Sequence, residues 1–202
     1  MDVKSNIEKL ELYSDTHPFS LALRIRNFEN ETDYKKFVRN CEKIVRGSLE
    51  YSLWRNYIID ILGMNSCEIT QEKMDEVTIE IHHHIPSLFM LMSALVNKKL
   101  DREEDFCTFD IAQEAIELHF MNKIGYVAIL RDLHKKFHNG FLSIPIEFVK
   151  GDYQYFIREF SKFLDEDDLD TINQRLSINK NNCSDFPYSW SKENYIWSEG
   201  RN

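Results

Sequence analysis

Glu80-Ile81-His82-His83-His84-Ile85-Pro86, answered by His134-Lys135-Lys136-Phe137-His138-Asn139-Gly140, decides how this chain is read. Six of its seven histidines fall between positions 82 and 138. Histidine is a common metal ligand and the side chain best suited to general-base work near neutral pH, so such clustering points to a site. Val77 to Ile85 is β-branched and alternating, which predicts a strand whose exit carries the triple histidine and which Pro86 interrupts. His134 and His138, four residues apart, share one face of a helix.

Working outward, Ser87 to Leu100 and Thr108 to Asn122 read as two helices separated by the charged turn Asp101 to Asp105. Gly125 to Leu130 reads as a short apolar strand, and Arg131 or Asp132 opens the helix bearing His134 and His138. The order is strand, helical insertion, strand, helix. Upstream, Leu21, Leu23 and Ile25 alternate with Ala22, Arg24 and Arg26 as in a strand. Thr32 is the expected cap of a helix carrying Tyr34, Phe37, Val38, Cys41, Ile44 and Val45. A second apolar stripe, Leu53, Trp54, Tyr57, Ile58, Ile61 and Leu62, runs to a stop at Gly63. Downstream, Phe141 to Val149 looks extended, Tyr153 to Leu164 looks helical, and Asp165 to Asp168 is expected to close the compact region. From about Ser177 the chain is polar, then aromatic with Phe186, Tyr188, Trp190, Tyr195 and Trp197, so the tail either packs back or docks on a protein partner.

With 202 residues, 43% of them hydrophobic and 13% aromatic, the chain can bury a sizeable core. No apolar run approaches the roughly 20 residues of a membrane helix, and the first residues lack the apolar stretch of a secretory signal. The expectation is therefore a soluble cytoplasmic protein with no membrane partner. Cys41, Cys67, Cys107 and Cys183 form no C-x-x-C pair, which argues against a cysteine zinc ribbon or a disulfide framework and leaves histidine and oxygen as metal ligands. A net charge of −9 weighs against an extended nucleic-acid surface but leaves room for a local basic face.

Ile79-Glu-Ile-His-His-x-Ile-Pro86, the strand Tyr126 to Leu130, and Leu133-His134-x3-His138-Asn-Gly140 resemble the ββα-metal finger of HNH endonucleases. The resemblance covers about Val77 to Gly140, interrupted by an insertion of about 35 residues. It implies a hairpin and one helix around a single divalent cation, with Mg²⁺, Mn²⁺ or Zn²⁺ as the candidates. It implies His82, His134 and His138 as ligands and His83, three residues before Pro86, as the catalytic base that activates water for phosphodiester hydrolysis. Nucleic acid, DNA in the first instance, is the implied substrate. The chain departs from the family where Gly125 occupies the usual place of a central Asn, for which Asn122 is the nearest substitute, and in lacking two bracing CxxC pairs. The whole chain also resembles bacteriophage-encoded proteins.

Each residue also has a plainer reading. Glu80 either orients His82 or is an exposed strand carboxylate, and His84 is a neighbour of the site rather than a fourth ligand. His119 lies on an amphipathic helix and is expected to be a satisfied core histidine. Arg131, Lys135 and Lys136, with the Lys35 to Arg46 helix, are candidates for phosphate contact, although charges on a helix usually mean solvation. The fold expected is α+β: a strand and helical arm over 1–76, a ββα-metal region over 77–140 with its insertion at 87–122, a strand and helix over 141–176, and an aromatic tail over 177–202. The function expected is a metal-dependent endonuclease. The alternatives are a catalytically silent HNH-like module binding protein or nucleic acid in a phage assembly or replication complex, and a structural zinc protein.

Overall fold

A computed structural model describes residues 28–74 and 77–181. The strand expected at Leu21 to Ile25 and the aromatic residues of the tail lie outside them. Helix α1 spans Glu31–Gly47 and buries Phe37, Val38, Cys41 and Val45. Asn30, not Thr32, caps it: the Asn30 side chain accepts the Asp33 amide at 3.0 Å, which satisfies one of the first-turn donors that a helix cannot pair internally. Ser48 accepts the Tyr51 amide at 3.1 Å and so starts α2, Leu49–Asn56. That helix runs into a π-helical turn, Tyr57–Ile61, and ends before Gly63, whose φ of +71° suits glycine. Tyr51, Trp54, Ile58 and Ile59 meet the core, whereas Leu53, Tyr57, Ile61 and Leu62 of the apolar stripe are exposed.

Strands β1, Ile79–Ile85, and β2, Gly125–Leu130, pair antiparallel, with His82 opposite Val127 and His83 opposite Tyr126. The register slips between His83 and Ile85, bringing Ile85 opposite Gly125. Every residue of β2 is buried, as its unbroken apolar sequence requires, because the small sheet is covered on both faces. Gly125 has a steric reason to be glycine: a Cβ there would stand 2.7 Å from the Ile85 carbonyl oxygen and 2.8 Å from Tyr153 Cβ. A side chain at the usual Asn place would push the strand exit apart.

The insertion forms helices α3, Leu88–Asp101, and α4, Thr108–Phe120. Ser87 accepts the Met90 amide at 3.1 Å and caps α3, whose first three turns are buried on nearly every side. Both helices pack against α1, and their buried faces make the insertion part of the core rather than an appendage.

Helix α5, Arg131–His138, follows β2 without a loop and ends before Gly140 at φ +74°. The stretch Phe141 to Val149, expected to be extended, instead takes an irregular path through a 3₁₀ turn at Ile146–Phe148. It rejoins the sheet where Tyr126 and Lys150 exchange backbone hydrogen bonds of 3.0 and 2.8 Å. Helix α6, Tyr153–Phe160, gives way to a 3₁₀ turn at Ser161–Phe163 instead of continuing to Leu164. Asp165 opens helix α7, Glu166–Ser177, by accepting the Asp168 amide at 2.8 Å. The acidic step thus begins an element rather than closing the compact region, because carboxylates complement the positive end of a helix. The described residues make an α+β fold of seven α-helices and one two-stranded antiparallel sheet, helical in the N-terminal half.

Candidate metal centre

Strand alternation divides the triple histidine. His82 and His84 point toward α5, and His83 points to the opposite face of β1. On the α5 side the His82 ring lies 4.8 Å from that of His134 and 5.2 Å from that of His138, with Phe137 at 4.4 Å packing beside it. One ring nitrogen from each of His82, His134 and His138 lies within 4.8 Å of the other two. His82 is 3% exposed and its Nε2 has no hydrogen-bond partner, a costly state for a buried polar atom.

His134 Nδ1 donates to Glu80 Oε2 at 2.6 Å, and Arg131 Nε donates to Glu80 Oε1 at 2.8 Å. Glu80 therefore orients His134 rather than His82. With its proton on Nδ1, His134 turns the Nε2 lone pair toward His138, whose Nε2 lies 2.8 Å away. His82 and His138 are held below the ordinary histidine pKa, chiefly by burial and then by neighbouring cations and imidazoles, which keeps both neutral and able to ligate. Burial pushes the carboxyl of Glu80 up, but the hydrogen bonds from His134 and from Arg131 outweigh it and hold the pKa below the ordinary carboxylate value.

His83 is set differently from the open position expected of a base. Although it contributes to the lining of the neighbouring cleft, it is 6% exposed, with its ring stacked at 5.9 Å from Tyr51 and 5.8 Å from Trp54. Its Nε2 meets His119 Nε2 at 2.9 Å, while His119 Nδ1 meets the Ala115 carbonyl oxygen at 2.6 Å. Since a carbonyl only accepts, His119 carries its proton on Nδ1 and His83 donates through Nε2. His119 is thus a core histidine with both nitrogens satisfied, as its helical position suggested.

His84 is fully buried beside Phe137 with both ring nitrogens unpartnered, and burial takes its pKa down to about 3. Asn122 adopts φ +56° and reaches the sheet through Tyr126, whose hydroxyl donates to its Oδ1 at 2.9 Å. Its carbonyl accepts the Asp152 amide at 2.8 Å.

A cleft of about 290 Å³ opens beside the three histidines, and its cations are Arg46 and Arg175. Neither Arg131, Lys135 nor Lys136 lines it. Lys135 instead pairs with Asp132 at 3.3 Å, and Lys35 on α1 pairs with Glu31 at 2.5 Å. Arg175 was invisible as a site residue because it stands on α7, 37 positions beyond His138 with no motif around it. Arg46 was recognised only as one of several cations on a helix.

Residues 2–192 match the family described as bacteriophage G278-like virion protein, and the chain belongs to that family. No curated protein and no solved structure matches it. Among the described residues no helix is long and apolar enough to cross a membrane.

Proposed function

We propose, from the premise of membership in this virion family, that the chain is a particle component whose His82, His134 and His138 hold one divalent metal ion. It acts as a catalytically silent module assembled in the host cytoplasm. The observation that carries the reading is the gathering of one ring nitrogen from each of His82, His134 and His138 within 4.8 Å of one another, in a cluster where the buried His82 has an Nε2 without a partner. Three imidazole ligands suit Zn²⁺ or another late transition ion better than Mg²⁺, which prefers oxygen. The ion would fasten β1 to α5 and supply Lewis acidity at its open side. Glu80 holds the His134 tautomer in which Nε2 can ligate, and Arg131 holds Glu80.

The silent reading is favoured because Nε2 of His83 is committed to His119 on the far face of the strand. A second reading, the metal-dependent nuclease, draws support from the cleft beside the imidazoles and its two arginines, with DNA as substrate.

Isothermal titration with Zn²⁺, Mn²⁺ and Mg²⁺ tests the metal. One equivalent of Zn²⁺ should bind more tightly than either of the others, and Glu80→Gln should weaken it by roughly 10- to 100-fold, because a neutral amide holds the imidazole less firmly. Stoichiometric binding that survives Glu80→Gln unchanged would remove Glu80 from the centre, and no binding at all would sink the proposal. Plasmid, single-stranded DNA and RNA incubated with each metal should remain intact. Metal-dependent cleavage that His83→Ala abolishes would establish the nuclease instead.

A further inference from the structure

The cleft beside the histidines is built from elements outside the β1, β2 and α5 finger. Arg46 comes from the end of α1, Arg175 from α7, and Ser87 with Leu88 from the N-terminus of α3. These are three independent sources of positive potential. The first turn of a helix presents N–H groups without internal acceptors and carries the positive end of its dipole. Arg175 is fixed in place: its guanidinium donates to the His84 carbonyl and lies 5.4 Å from the centre of the Phe137 ring. It still has donors to spare, since a guanidinium carries five N–H groups. Glu42 is the acid in the lining, 4.0 Å from Arg46, and burial raises its pKa. His82, 3% exposed with an unpartnered Nε2, also lines the cleft.

We infer that this cleft is a binding site for a phosphate group, gripped by Arg46, Arg175 and the N-terminus of α3 beside the histidine cluster. The inference rests on the metal-binding reading only in part, because none of those three contributors is a proposed ligand. The volume suits a single phosphate or the phosphorylated end of a nucleotide, not the flank of a duplex. Arginine is suited to this task because its planar fork matches two oxygens of one phosphate.

The test uses the full chain, metal-free and with one equivalent of Zn²⁺, titrated with inorganic phosphate, with a nucleoside 5′-monophosphate and with the unphosphorylated nucleoside, followed by calorimetry and by ³¹P NMR. Saturable one-to-one binding of both phosphates and none of the nucleoside is expected, weakened about tenfold in Arg46→Gln and unchanged in Arg158→Gln, whose guanidinium is exposed on α6 and pairs with Glu159. Arg175→Lys, which keeps the charge but loses the fork, should weaken binding without unfolding the chain. A monophosphate that binds more tightly than inorganic phosphate assigns the site to a nucleotide end, and equal binding assigns it to free phosphate. Absence of saturable binding in both forms overturns the inference, as does binding to the Zn²⁺ form that Arg46→Gln and Arg175→Lys leave unchanged. Arginine-dependent binding by a protein that takes up no Zn²⁺ would uphold the phosphate site and reject the metal reading alone.

Discussion

His82→Leu should abolish the thermal stabilisation that Zn²⁺ confers and should leave the metal-free protein no less stable than the parent. Burying the Nε2 of His82 without a partner costs on the order of 1–3 kcal/mol, and a leucine fills similar space without that cost. A metal bound only by the folded state contributes about 4 kcal/mol when present at 1,000 times its dissociation constant. The parent should therefore melt well above its metal-free value in excess Zn²⁺, whereas His82→Leu should show one melting temperature with or without the ion. His134→Ala and His138→Ala should likewise lose the Zn²⁺ response, with smaller effects on the metal-free protein because both rings are less buried. Melting curves by circular dichroism with Zn²⁺ and with chelator decide the matter. A Zn²⁺-dependent rise of equal size in His82→Leu would exclude His82 as a ligand.

Gly151→Ala should be among the most destabilising single substitutions in the chain. The residue has φ +83°, and an added Cβ would stand 2.0 Å from the Ile124 carbonyl oxygen and 3.0 Å from the Tyr126 ring. The atom struck first is backbone, so no rotamer change relieves it. Overpacking combined with a left-handed backbone at a residue bearing Cβ should cost about 3 kcal/mol or more. The damage falls at the junction where Lys150 pairs with Tyr126 and Asp152 bonds Asn122. Gly47→Ala, in a glycine with open space around it and an ordinary helical position, is the matched control and should change stability by less than about 1 kcal/mol in either direction. Chemical denaturation of the two variants measures the difference. Comparable stability would show that the Ile124 to Tyr126 segment shifts easily, and that the close approach is not a constraint on the fold.

The sequence by itself determined those features that rest on local periodicity. The β-branched run into Ile85, the apolar strand Gly125 to Leu130 and the i, i+4 pair on α5 each carry their period in adjacent residues, and the α+β class follows from their order. The helices of the insertion were legible for the same reason. Element ends were less legible where competing caps stood close together, as Asn30 and Thr32 do at the start of α1, because one hydrogen bond selects between them. The acidic run at Asp165 read as a boundary because charge patterning alone does not say whether carboxylates end one element or begin the next.

Only the tertiary structure decided which face of the sheet each histidine serves. The resemblance grouped His82 with the two histidines of α5, but that His83 is carried away to α2 and α4 depends on how the helices cover the two faces. The attachment of Glu80 to His134, the capture of His83 by His119, and the arrival of Arg46 and Arg175 at one cleft all join residues far apart in the chain. Gly125 is the clearest instance. As a letter in a motif it was a missing asparagine, while in space it is the residue that lets β2 approach the Ile85 carbonyl and Tyr153, a contact set by packing rather than by its neighbours in sequence.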